Sequence, residues 1–421
     1  MGRPLRLATG ALAGALLALL VIAALLLAGP AFGTVAAEEL GMNQSVPHAP
    51  PDFGSTERLI LPDDDQRTAE ATLSVDPGLT TSNEFQHLAY AWQSERFQSE
   101  LAAEGTSEGK VAILEETVDD LQQKIIAMNE AEKAAYRSFA RGDISAAELL
   151  ARLAMIEQQG ALLDERLQGV RAASRGITSP VVADNVTSLQ ANVGWLQLEA
   201  ETFSGPIRND AWAVVTGNER DPAPVSVTAS PNGYILATTD GVMYTREIYH
   251  AGNHDRAGGG FLSTEAGGER VVELYPWTAE EAFEQDPRVR GDIFREVLTH
   301  PHGTTTTIFS GATELPYREI HEIDLAAVPT VTAVTEEGDG IVVTLERTYA
   351  GGPAQVLVTT ADGDPIPEAT VVVDGQRERV TDGDGSVWFT TSGTELSVVV
   401  TTDNGEVTVD ASLPVGDPPR G

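Results

Sequence analysis

Residues 111–128 read VAILEETVDDLQQKIIAM. Apolar side chains fall at Val111, Leu114, Val118, Leu121, Ile125 and Met128, spaced alternately by three and four. That is the seam of a helix packed lengthwise against another helix. Glu115, Glu116, Asp119, Asp120 and Gln122 lie mostly off the seam, as a solvated face requires. Further along, Gly142-Asp143 breaks the helix, and Ser145 with Glu148 three residues on is a capping-box signature for the next one. Leu149, Leu153, Ile156, Leu163, Leu167 and Val170 continue the pattern if Gly160 takes a seam position. Val186, Leu189, Val193, Leu196, Ala200 and Phe203 mark a third helix, and a weaker one precedes them all around Phe85, Leu88, Trp92 and Leu101. Short connections make neighbouring helices antiparallel. Residues 83–204 therefore predict a helical hairpin or coiled-coil-like bundle, suited to act as a rod and as a surface for oligomerisation.

Upstream, residues 38–82 have no lasting period and carry Pro47, Pro50, Pro51, Pro62 and Pro77. They read as an acidic linker with room for a short strand at 71–75. Before it, Arg3 and Arg6 precede an uncharged run from 10 to 37, which Glu38 and Glu39 close. The strongly apolar part, 11–28, is longer than the ~7–15 residues of a secretory signal and just short of the ~20 of a membrane span. Residues 1–37 are expected to be a signal peptide or, preferably, an N-terminal apolar helix that anchors the chain. The charge order places the rest on the extracellular face of the cell membrane. Secretion after cleavage is the alternative. Asn43 and Asn185 each begin an Asn-x-Ser/Thr pattern, the acceptor of N-glycosylation.

The 421 residues are enough for two to four domains, and 42% are hydrophobic, so a packed core is expected. There is no cysteine, which removes disulfides, thiolate metal sites and cysteine nucleophiles. The 63 acidic residues against 27 basic ones give a net charge of −36, which argues against nucleic acid as a partner. Only Lys110, Lys124 and Lys133 are lysines. At ~1 M salt the screening length is about 3 Å, and so acidic a chain is tolerated. The composition resembles that of extremely halophilic archaea.

Residues 205–329 read as an α+β domain. Strands are expected at 211–215, 225–228, 234–238, 242–249, 271–274 and 304–309, with Asp240-Gly241 as a hairpin turn. Helices are expected at 278–283 and 292–298. Five of the seven histidines lie here. His250, His254 and Asp255, joined by His300 or His302, have the donor chemistry of a zinc-like site. No His-Glu-x-x-His, nucleophile-elbow or phosphate-loop pattern accompanies them. The reading assigns no catalytic residue, no cofactor and no metal, and treats these side chains as structural.

Residues 330–415 alternate apolar and polar positions, as at Val356 and Val358, Val371 and Val373, Val398 and Val400, and Val407 and Val409. Turns fall at Asp362-Gly363, Asp374-Gly375 and Asn404-Gly405. Short strands with such turns predict an all-β sandwich, followed by a tail at 416–421. Residues 356–400 resemble the carboxypeptidase-regulatory-like, transthyretin-like family of β-sandwiches. The likeness rests on ADGDPIPEA at 361–369, Val371-Val372-Val373, TDGDG at 381–385 and Val387-Trp388-Phe389. The resemblance implies an accessory module with no catalytic residues. The order of parts is also similar to that of haloarchaeal exported proteins.

The function expected from the sequence is a structural or protein-binding scaffold on a halophile's surface, with envelope proteins as partners and the membrane reached through the N-terminal segment. The competing expectation is a metal-dependent or hydrolytic ectoenzyme built on the middle domain.

Overall fold

A computed structural model describes residues 48–49, 58–61, 65–219, 222–255, 259–261, 263–349, 351–375, 377–391 and 395–412. Two short strands, β1 (His48–Ala49) and β2 (Arg58–Leu59), pair antiparallel. Strand β3 (Arg67–Ala71) then enters the main sheet. Five helices follow: α1 (Pro77–Ala103), α2 (Ser107–Ala140), α3 (Ala146–Arg175), α4 (Ala183–Glu201) and α5 (Pro206–Val215).

The seam of α2 is buried at every expected position, from Val111 to Met128. It packs with Ile156, Leu163 and Leu167 of α3 and with Leu189, Val193 and Leu196 of α4. Gly160 does stand at the seam. A Cβ there would lie 3.2 Å from both the Ala200 carbonyl and the Phe203 Cβ, so glycine lets α3 and α4 approach closely. At the start of α3 the Ser145 hydroxyl accepts from the Glu148 N–H at 3.1 Å. The Glu148 carboxylate pairs with Arg152 at 2.6 Å instead of returning to the cap. α1 begins earlier than the apolar pattern implied. The Asp76 side chain caps it by accepting from Gly78 and Leu79, with Pro77 at the first helical position.

The chain returns to the sheet with β4 (Val225–Ser230), β5 (Gly233–Thr239) and β6 (Met243–His250). Helices α6 (Thr264–Leu274) and α7 (Pro276–Glu281) follow. Then come β7 (Glu284–Gln285), β8 (Arg288–Arg290), β9 (Ile293–His300), β10 (Gly303–Ser310) and β11 (Leu315–Asp324). The nine-stranded antiparallel sheet has the order β3-β4-β5-β6-β11-β10-β9-β7, with β8 also paired to β9. β3 and β4 are direct neighbours, so the helices at 77–215 are inserted between two adjacent strands. Their core is continuous with one sheet face. Tyr136, Phe139, Leu149 and Leu153 pack with Val227, Tyr234, Leu236 and Tyr249.

The middle region is β-rich, and three of its expected elements are corrected. Residues 211–215 lie in α5, not in a strand. Helix α5 buries Ile207, Ala211, Trp212, Val214 and Val215 on a helical period, and Glu247 from β6 receives its first free N–H groups. Residues 271–274 end α6, where the Ser263 hydroxyl caps and Val271 is buried while Val272 is exposed. Residues 292–298 are mainly strand β9. Phe294, Glu296, Leu298 and His300 alternate inward, and the buried Glu296 hid the period of two.

The C-terminal sandwich stacks β12 (Val331–Gly338), β13 (Ile341–Arg347), β14 (Pro353–Thr360) and β17 (Ser386–Thr390) on a second sheet. The second sheet has the order β16 (Arg377–Val380), β15 (Thr370–Val373), β18 (Glu395–Thr402) and β19 (Gly405–Ser412). The valines singled out by alternation form its core with Phe389. The sandwich rests on the sheet through Tyr349 and Trp388, packed with Ala237, Tyr244, Ile323, Leu325 and Val328. Arg379 reaches Glu70 of β3 at 3.3 Å.

The expected N-terminal apolar helix is corrected as a fold element. No helix among the described residues is long and apolar enough to cross a membrane. Residues 1–37, on which anchoring and contact with the membrane were expected to depend, lie outside the described residues, as does Asn43. The described fold is a helical bundle, a β-rich middle domain and an all-β sandwich.

Candidate functional site

Alternation along β6 and β11 sends adjacent charged residues to opposite faces of the sheet. Glu247 and Arg318 face the helices, and Arg246 and Glu319 face the other way. Each face therefore receives charges that must be paired where they are buried.

On the helical face Glu132 of α2 is fully buried. It takes an Arg318 Nη at 2.5 Å and the Tyr234 hydroxyl at 2.7 Å. Arg208 of α5 lies 3.8 Å from Glu132 and donates Nε–H to Glu247 at 2.7 Å. Glu247 also accepts the backbone N–H groups of Ile207 and Arg208. Gly205 makes room for this carboxylate, which a Cβ would strike. Two acids thus balance two guanidiniums across the bundle–sheet boundary. Arg318 lies 4.3 Å from the Tyr249 ring centroid, and Tyr136, Tyr234 and Tyr249 enclose the cluster at mutual centroid distances of 6.0 Å. Burial opposes ionisation of Glu132, but Arg318 and Arg208 outweigh it and hold the carboxyl below its usual range. Nearby Glu157 is pushed up to about 7 by burial, against Arg208 and with the help of Glu247.

On the opposite face Glu319 accepts from the Leu59 N–H at 2.8 Å, Arg246 at 2.9 Å and the Tyr275 hydroxyl at 2.8 Å. His321 Nε2 stands 3.1 Å away. Burial opposes its charge, yet His321 and Arg246 hold it down at about 2. Arg246 also donates to the Leu59 carbonyl at 2.6 Å, which ties β2 to the sheet.

Beyond this cluster His300 Nδ1 accepts the His302 N–H at 3.3 Å. Its Nε2 therefore carries the proton and donates to the Thr305 hydroxyl at 3.0 Å. Burial, with His321 and His302 adding, lowers His300 to about 3. An unfolded histidine takes its proton near 6.5, so between the two values the unfolded chain binds more protons and stability falls as pH falls. We expect the parent to lose stability relative to His300→Gln by roughly 1.4 kcal/mol per pH unit below about pH 6.5. Denaturation at several pH values down to about 5 checks this, and parallel curves for the two proteins would refute it.

The sequence candidates for a metal do not share one place. His250 ends β6 beside the Tyr249–Arg318 row, whereas His302 lies in the β9–β10 turn, near the Tyr244–Ile323 row at the other end of the sheet. The His254 ring stacks on Tyr317 at 4.1 Å, with Nδ1 3.4 Å from the Tyr249 hydroxyl and Nε2 3.8 Å from Glu199. Asp255 receives the Ser310 hydroxyl on its backbone carbonyl. His302 stacks on Trp277 at 4.8 Å. No group of three or more metal-ligating side chains occurs among the described residues. Asn185 is exposed in the first turn of α4 and lines a hollow of about 450 Å³ with Glu115, Asp119 and Asp184.

Sequence reasoning missed Glu132, Arg208, Glu247, Arg318 and Glu319. No local pattern marks them, because their partners are distant in the chain. The weaker helix expected around Phe85, Leu88, Trp92 and Leu101 is α1. Its apolar residues differ in burial. Phe97 and Leu101 are buried, while Phe85 is 65%, Leu88 65% and Trp92 63% exposed. Leu88 also borders a hollow of about 480 Å³ between α1, α2 and α3.

A helical bundle locked onto an antiparallel sheet, with a β-sandwich docked against it, defines the class of this archaeal protein. Residues 225–329 match a family of unknown function (DUF7094), and residues 332–409 match the archaeal fibronectin-III type-like domain. Residues 9–220, half of the chain, match the domain of unknown function DUF7096, and the chain belongs to that family. No curated protein matches it. The sandwich match corrects the carboxypeptidase-regulatory-like assignment. Alternating valines and Asp-Gly turns suit any small sandwich, so they fixed the layers and not the family.

Proposed function

We propose that the chain is an extracellular, non-catalytic protein-binding scaffold of a halophilic archaeon, with its sandwich as the binding module. The observation that carries this reading is the way the sandwich is held. Strand β17 lies against β5, and β16 is tied to β3 by Arg379 and Glu70. The opposite edges, β12 and β19, lie side by side, and each is paired along one side only, to β13 and to β18. A free sheet edge offers unpaired N–H and C=O groups to a partner strand. Here Glu336, Glu337, Glu406 and Asp410 border it, which favours a partner engaged at high salt.

The buried acids, arginines and histidines support the same reading, because they join the elements rather than line a cleft. The test is retention of the full-length protein by a halophile envelope fraction, titrated at ~2 M potassium chloride, where charge is screened. Saturable retention that survives further salt is expected. Retention that never saturates, or none, would refute the scaffold.

A further inference from the structure

We propose that Glu157 of α3 is a pH-sensitive latch on the joint between the bundle and the sheet, closed when this side chain holds a proton and loosened when it is charged. This goes beyond the scaffold reading and does not depend on it. Three carboxylates, Glu132, Glu157 and Glu247, meet two guanidiniums, Arg208 and Arg318, inside that joint, and all five residues are buried. One acid is therefore in excess where water does not solvate it.

The hydrogen bonds show which acid it is. Glu132 holds Arg318 and the Tyr234 hydroxyl, and Glu247 holds Arg208 Nε and two backbone N–H groups of α5. Arg208 gives its Nη2 to the Ser204 carbonyl at 2.8 Å, and its Nη1 makes no hydrogen bond. Glu157 is left with weak donors. Its Oε1 accepts from the Ser204 hydroxyl at 3.2 Å and the Gly205 N–H at 3.5 Å, and its Oε2 has no partner. The charges that act on it are Arg208 from α5 and Glu247 from β6. Beyond Glu247, Asp210 of α5 and Glu322 of β11 add negative charge on the same side. Burial and Glu247 favour the neutral acid over the pull of Arg208, and the proton leaves only near about 7. Ionisation then strikes one place. Ser204 and Gly205 join α4 to α5 and make both of Glu157's hydrogen bonds, and Gly205 lies so close to Glu247 that a Cβ would strike its carboxylate. A second negative charge there repels Glu247, which caps the start of α5, so α5 loosens from β6 first.

An unfolded glutamate releases its proton near 4.5, whereas folded Glu157 holds its own to about 7. Between the two values the folded chain binds more protons, so this contribution to stability falls as pH rises and is gone above about 7. Glu157→Gln keeps the side chain's shape and cannot ionise, and every other titrating group is common to both proteins. Denaturation of the full-length chain at fixed high salt, from about pH 5 to 8, compares them. The unfolding constant of the parent should rise relative to that of Glu157→Gln by roughly tenfold per pH unit up to about pH 7, then run parallel. A second measurement needs only the parent. Hydrogen exchange, corrected for its intrinsic pH dependence, should show the amides of 207–215 losing protection between about pH 6 and 8 while those of 353–360 in the sandwich keep theirs. Parallel stability curves from about pH 5 to 7 would overturn the proposal. So would unchanged protection of α5 across its titration range, whether or not the variant folds.

Discussion

Arg318→Ala should destabilise the protein by roughly 3–5 kcal/mol, the range for removing one partner of a buried ion pair. Arg318 is 4% and Glu132 0% exposed, so water cannot replace the lost guanidinium. Glu132 would keep the Tyr234 hydroxyl, and Arg208 only at 3.8 Å. The loss should fall on the bundle–sheet boundary, because Glu132 comes from α2 and Arg318 from β11. The double change Arg318→Met with Glu132→Leu should recover much of the stability, since no charge is then left buried alone. Chemical denaturation at fixed high salt measures all three. A single variant within ~1 kcal/mol of the parent would mean that the pair is solvated, in the manner of an exposed salt bridge.

The second large effect belongs to Leu121, which is fully buried in the cluster of Leu114, Val118 and Ile125 with Leu163 and Leu196. Leu121→Asp places a carboxylate where no cation waits, at a cost of several kcal/mol. Because 77–215 is inserted between β3 and β4, loosening of the bundle should reach the middle sheet as well. Limited proteolysis should cut within 77–215 and then within the sheet, while 353–412 stays protected by its own core. A variant as resistant as the parent would show that this seam is not what holds the bundle.

What the sequence revealed follows from which interactions are local. The α2 seam repeats over nearly three heptads, and such a pattern has one economical explanation, burial against a helix. The sandwich was legible for the same reason, with a period of two and Asp-Gly turns within a few residues of each strand. Residues 205–300 were read less well because their short elements depend on distant partners. Helix α5 receives its cap from Glu247, about forty residues on, and β9 carries a buried Glu296 that looked like a surface residue. The insertion of the helices between paired strands left no local trace, because β3 is only five residues long and follows an acidic, proline-containing stretch.

The candidate site was less legible still. Histidines attract attention because their chemistry is versatile, yet His250, His254 and His302 are spread over the sheet and packed on aromatic rings or within the core. The charges that organise the interior are common residue types at unremarkable spacings. Glu132 and Arg318 are 186 residues apart and meet only in the folded protein.

If the edge of the sandwich formed by β12 and β19 binds a partner strand, its amides should exchange more slowly when that partner is present. Hydrogen exchange of the full-length protein at high salt, with and without the envelope fraction that retains it, measures this. Added protection is expected at the backbone amides of 331–338 and 405–412, because a partner strand would pair with them. Unchanged exchange in those two strands, with protection appearing instead around α6, α7 and the histidines of the middle sheet, would contradict it.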